Sequence, residues 1–125
     1  MAQDGRGTLD AGMQAGALPP DVLTMQETAR RVLLEQLSIG EVEVAAITMR
    51  GHIELLVADL QELLRTSHPE DREAQVAQVG VMEAQRRLTT PPGHGHDAFR
   101  RHARKLAMSV VSLCGHYETL SHPKT

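Results

Sequence analysis

The chain is poor in several things that other folds depend on. Phe99 and Tyr117 are its only Phe and Tyr, and Trp is absent. A β-sandwich core normally draws on aromatic and β-branched side chains, so this shortage argues against one. Cys114 is the single cysteine. A lone thiol forms no intrachain disulfide, and the fold is not expected to depend on an oxidising compartment. No run approaches the roughly 18 uninterrupted apolar residues of a membrane span. The first sixteen residues lack the basic start and apolar stretch of a signal peptide, so a cytoplasmic protein is expected. Net charge is −3, whereas a domain that holds nucleic acid by charge alone usually has a pI above about 9. Arg greatly outnumbers Lys, which is read as codon usage.

What remains is a chain of 125 residues, 41% hydrophobic and 23% charged, with the composition of one ordinary globular domain. Its Leu, Val, Ile, Met and Ala recur with helical spacing. Residues 1–18, which carry four glycines and little apolar content, are expected to form a flexible arm. A domain is expected over 19–122. Asp21 is a candidate N-cap after Pro19-Pro20, and Val22, Met25, Ala29, Val32, Leu33 and Leu37 line one face. Gly40 is placed as the C-terminal cap of that helix. A second helix is predicted from Glu41 to Thr66, with Val42, Ala46, Met49, Ile53, Leu56, Leu60 and Leu63 as its stripe. Pro69 stops it. A third is predicted after Pro69, with Glu70, Asp71 and Glu73 in its first turn. Ala77, Val81, Ala84 and Leu88 are its buried side, with Val79 and Met82 beside them. Thr89-Thr90-Pro91-Pro92-Gly93 ends it. A fourth is predicted from Asp97, with Asp97 or His96 near its cap, to Leu120. Its core stripe is Phe99, Ala103, Leu106, Val110, Leu113, Tyr117 and Leu120, and Pro123 bars extension. No segment alternates with period two. The fold expected is all-α, an antiparallel four-helix bundle with a flexible N-terminal arm. Gly51, Gly80 and Gly115, inside helical patterns, are expected to mark close helix–helix approaches.

Polar residues on or beside the apolar stripes are the candidates for chemistry. Arg50 and His52 flank Gly51 on the second helix. On the third, Glu83 precedes Arg86 and Arg87 by three and four residues, a spacing that permits ion pairs. On the fourth, His102, Ser109 and His116 share a face at about 10 Å intervals, with Tyr117 and Glu118 next to His116. One expectation gathers Arg50, His52, Glu83, Arg87 and His116 around a pocket, with His52 or His116 as general base, Glu83 or Glu118 orienting it, and the arginines holding a carboxylate or phosphate. His102, Ser109, Tyr117 and Glu118 join as ligand-binding candidates. The competing and preferred account is architectural: both arginines pair with Glu83, and each histidine meets a backbone carbonyl. No metal or cofactor is expected, since no Glu-x-x-His, Cys-x-x-Cys or His-Glu-x-x-His string occurs and His94 and His96 sit in a Gly/Pro loop. Cys114 reads as a small buried hydrophobe. The basic run Arg100, Arg101, Arg104, Lys105 lacks aromatic stacking partners and is read as a solvated face.

Three strings, Met49-Arg-Gly-His-Ile-Glu-Leu-Leu56, Glu83-Ala-Gln-Arg-Arg-Leu88 and His102-Ala-Arg-Lys-Leu-Ala-Met-Ser-Val-Val-Ser-Leu-Cys-Gly-His-Tyr-Glu-Thr-Leu120, resemble a family of small actinobacterial proteins. That family carries a domain of unknown function and is labelled as natural-product biosynthesis proteins. The similarity spans roughly residues 25–120. It marks Arg50, His52, Glu83, Arg87, His102, Cys114, His116, Tyr117 and Glu118 as family-pattern positions and implies a setting in secondary metabolism without supplying a reaction. The expected function is an accessory or regulatory binding protein in such a pathway, taking a partner protein or a small molecule. The alternative is a small cofactor-independent enzyme with His acid/base groups in a bundle pocket. Apolar residues outside the main stripes (Leu55, Val57, Leu64, Val111) suggest a second buried face and a homodimer. Neither nucleic acid nor membrane is expected as a partner.

Overall fold

The computed structural model describes residues 20–122. The arm expected over 1–18 and Pro123 lie outside them. Four helices follow in order: α1 Val22–Leu34, α2 Ile39–Arg65, α3 Arg72–Thr89 and α4 His96–Ser121. Among the described residues there is no strand, and the helices pack as an all-α bundle.

Three helix starts follow from their caps. The Asp21 carboxylate accepts from the Thr24 amide at 3.1 Å and from its hydroxyl at 2.8 Å, which opens α1. Asp71 opens α3 by accepting from the Glu73 and Ala74 amides. Glu70, expected inside the first turn, therefore precedes the helix. At α2 the structure corrects the expected boundary. Gly40 is not the cap of α1 but part of the first turn of α2. Ser38 and Glu41 form a reciprocal capping box, the Ser38 amide donating to Glu41 at 2.8 Å and the Glu41 amide to Ser38 Oγ at 3.3 Å. Helix α1 has already ended at Leu34, and Leu37 packs on the core from the connection. α4 begins differently: Gly95, at φ +88°, is its N-cap and offers no side chain to the first turn.

Contacts between helices fix their directions. Thr28 and Arg31 of α1 lie across from Thr48 and Val44 of α2. Arg50 of α2 reaches Leu88 of α3, and Gly80 and Arg87 of α3 meet His116 and Lys105 of α4. Successive helices are thus antiparallel. α2 and α4 run the same way, with Ile39 and Val42 beside His96 and Phe99 at one end. They also form the most extensive pairing of the bundle, with α1 and α3 on either side.

Met49, Ile53, Leu56 and Leu60 of α2 and Leu106, Val110 and Leu113 of α4 are fully buried. Each side chain of this size contributes about 1.5–3 kcal/mol on burial. α1 adds Val22, Met25, Ala29 and Val32, and α3 adds the small set Ala74, Ala77, Val81 and Ala84. Leu88, Phe99, Tyr117 and Leu120 are partly buried against this core. Val79 and Met82, placed beside the buried side of α3, are exposed, because the small face of α3 alone meets its neighbours. Of the residues assigned to a second buried face, Val57 is in the core and Leu64 and Val111 pack on it, leaving Leu55 outside. Among the helical glycines, only Gly80 is at a close approach: a Cβ there would lie 2.8 Å from His116 Nε2, while Gly51 and Gly115 face open space. Their short backbones are not needed for packing within one chain.

Candidate functional site

The last two turns of α3 carry three charged residues within one helical face. Glu83 Oε2 stands 3.6 Å from both Arg86 Nη2 and Arg87 Nη2, as the three- and four-residue spacing dictates. Arg87 reaches further. Its Nη1 donates to the Lys105 carbonyl and to Ser109 Oγ, each at 2.9 Å. Ser109 is a buried polar residue, so this bond satisfies a hydroxyl that burial would otherwise make costly. Arg50 donates from Nη2 to the Leu88 carbonyl at 2.9 Å, supplying a partner at the C-terminal end of α3, where helix carbonyls lack one.

The architectural expectation is therefore half met. Arg87 pairs with Glu83 as foreseen, but Arg50 goes to a main-chain oxygen of α3. The histidines differ too. His116 lays its ring over Gly80 and has Ser112 Oγ 3.4 Å from Nε2. His102 lies beside Phe99, ring centroids 6.4 Å apart. His52 is half-buried on α2. Burial holds all three imidazoles below their ordinary pKa, and for His102 the nearby Arg50 and Lys105 push the same way.

Of Arg50, His52, Glu83, Arg87 and His116, expected around a single pocket, only Arg87 lines a cleft between α3 and α4. His102 shares its end of the bundle with Arg50, while His116 sits fourteen residues further along α4, about 21 Å by helical rise. That cleft lies between the C-terminal end of α3 and the N-terminal half of α4. Its volume is about 350 Å³. Arg86, Arg87, Arg101, His102 and Lys105 line it, with Thr90, Pro91, Pro92 and Ala98 forming the rest of its wall. Arg87 and His102 are thus in the cleft. Arg50, His52, Glu83, Ser109, His116, Tyr117 and Glu118 are not among its lining residues.

Tyr117 is partly buried toward the other end, where burial and Asp59 raise its hydroxyl above the ordinary range. Burial also raises Asp59. Glu118 is exposed. Cys114 is buried, with its thiol 3.9 Å from the Val22 carbonyl. Burial first, and the Glu118 charge second, push it up to about 11, far from the range of a nucleophilic thiolate. Among the described residues, no three or more His, Cys, Asp or Glu converge on a point that could hold a metal ion.

Sequence reasoning missed Arg86, Arg101 and Lys105 as parts of one cleft. The signal was present in the basic run near the start of α4, but the partner cations sit on α3, and the connection between the helices brings the two groups together.

The fold and this site define an all-helical bundle with a basic cleft at one end. Residues 23–122 match the model of a family of unknown function, DUF6415, and the chain belongs to that family. No curated protein and no solved structure matched it. Among the described residues, no helix is long and apolar enough to cross a membrane.

Proposed function

We propose that the chain is a non-catalytic accessory or regulatory binding protein of a natural-product pathway, and that its ligand is an anionic small molecule. The observation that carries this reading is the cleft between α3 and α4: several cations line it, and among the described residues no carboxylate does. Such a lining suits holding a charged group. It lacks a paired acid and base for proton transfer. The candidate acid/base groups support binding over turnover as well. Glu83 is engaged by two arginines, and neither His52 nor His116 lines the cleft. The actinobacterial, natural-product setting rests on the resemblance of the Arg-Gly-His and Leu-Cys-Gly-His-Tyr-Glu strings.

Self-association as a homodimer belongs to the same proposal. Val44, Ile47 and Leu55 are 64%, 72% and 57% exposed, and their spacing puts them on one outer face of α2. A two-fold dimer would cover that face. Native mass spectrometry of the chain purified from its own organism reads subunit number and any retained metabolite together.

The test of the functional reading is genetic. Deleting the gene should lower the yield of a secondary metabolite. Complementation with a His52→Gln/His116→Gln double variant that keeps its melting temperature should restore the yield. Failure of that variant while folded would favour the enzyme reading, because burial keeps both imidazoles neutral and able to accept a proton near pH 7. An unchanged metabolite profile after deletion would remove the natural-product setting.

A further inference from the structure

We infer that the α3–α4 cleft binds the phosphoryl group of a small, multiply charged phosphate ester or diphosphate, a refinement that rests on the reading of the chain as a binding protein. The first ground is charge. The whole chain carries −3, yet Arg86, Arg87, Arg101 and Lys105 converge on this one concavity. Even with Glu83, and Asp97 of the first turn of α4, set against them, an excess of two positive charges remains. A dianion matches that excess, and a single carboxylate does not. Burial is the main cause that holds His102 below its ordinary pKa, and the charges of Arg50 and Lys105 lower it further.

The second ground is the start of α4. The other three helices open with a side-chain cap. α4 opens at Gly95 with none, and its first turn reaches the cleft through Ala98. Amides that lack a side-chain partner, together with roughly half a positive charge from the helix dipole, favour an anion there.

The third ground is rigidity and shape. Bonds to Ser109 and the Lys105 carbonyl already fix the guanidinium of Arg87, so little ordering remains when a ligand arrives. Pro91 and Pro92 stiffen part of the wall. Arginine forks match phosphate oxygens in pairs. A volume of about 350 Å³ falls in the range of small-molecule sites. Neither Phe99 nor Tyr117 lines the cleft, so it offers no platform on which successive bases could stack.

The experiment is calorimetric titration of the full chain with pyrophosphate at low salt. Citrate and a single-stranded oligonucleotide serve as competing probes. Arg101 and Lys105 are exposed, so Arg101→Glu and Lys105→Glu leave the core untouched, and unchanged melting temperatures verify that. Arg72→Glu makes the same charge change at the far end of α3. We expect one pyrophosphate per chain, weakened tenfold or more by either cleft variant and less than twofold by Arg72→Glu. Absence of pyrophosphate binding, equal binding of citrate, tighter binding of the oligonucleotide, or equal loss in Arg72→Glu would each overturn the assignment. A negative titration leaves the complementation result with the His52/His116 variant standing, so failure here and failure of the binding-protein reading are told apart.

Discussion

Two of the seams that α4 makes are very different. Against α2 it presents Leu106, Val110 and Leu113 to Met49, Ile53, Leu56 and Leu60, all fully buried. Against α3 it meets alanines, Val81 and Gly80, and the contact is completed by polar groups: Arg87 on Ser109 and Lys105, and His116 over Gly80. The first seam is nondirectional and gains its stability from area removed from water. The second is short-reach and directional, and the cleft opens where it ends. Stability concentrates in one seam and the proposed recognition in the other, and variants on either side should separate them.

The largest effect should come from the α2–α4 seam. Leu106→Ala removes a fully buried side chain and should cost about 2–5 kcal/mol, read by denaturant unfolding. A cost below about 1 kcal/mol would mean that this seam is not the stable one. Next is Arg87→Met, which deprives buried Ser109 of its donor. A loss of about 1–3 kcal/mol is expected. The same loss should not follow from Arg101→Glu, because Arg101 is exposed.

Gly80→Ala tests the closeness of the second seam. The added methyl meets the edge of the His116 ring at 2.8–2.9 Å, so the ring must move, and the gain of about 1 kcal/mol in helix propensity is offset. In a His116→Ala background the clash is gone, and the same substitution should stabilise by about that amount. Equal effects in both backgrounds would show that ring and glycine do not touch.

The smallest effect is a slope with pH. In the unfolded chain His52, His102 and His116 take up protons near 6.5, whereas in the folded chain burial holds them neutral to lower pH. The unfolded state therefore binds more protons in that window. Stability is full above about 6.5 and declines as pH falls through the lowered folded values. Asp21 and Glu41, held below the ordinary carboxylate range by Thr24 and Ser38, act in the same direction at lower pH; Asp59, raised by burial, acts against it. Melting temperature should fall between pH 7.5 and 5, and His52→Gln should flatten the slope. At the alkaline end, the Cys114 contribution is present below pH 9.0 and lost as pH rises toward about 11.

Much of the fold was legible in the sequence because helix stripes and caps are local. The face Val42, Ala46, Met49, Ile53, Leu56, Leu60 is buried as its spacing required, and Asp21 caps α1. The Ser38–Glu41 box is equally local, but Gly40 beside it reads as a helix end. Glycine disfavours a helix interior by about 1 kcal/mol, and two satisfied amides outweigh that at a first turn. The site was less legible because its partners are remote in sequence. Nothing near Arg87 announces Ser109 or the Lys105 carbonyl, and the choice of Leu88 by Arg50 depends on the packing of α2 on α3. Likewise, the basic run from Arg100 to Lys105 reads as a solvated face until Arg86 and Arg87 are brought opposite it.

The most direct test of the phosphoryl site watches His102 by NMR while pyrophosphate is added at low salt. His102 lines the cleft under the influence of Arg50 and Lys105. A bound dianion should raise its pKa saturably, with His116 at the far end unmoved. A His102 pKa that stays where it is, or a shift shared equally by His116, would contradict the account.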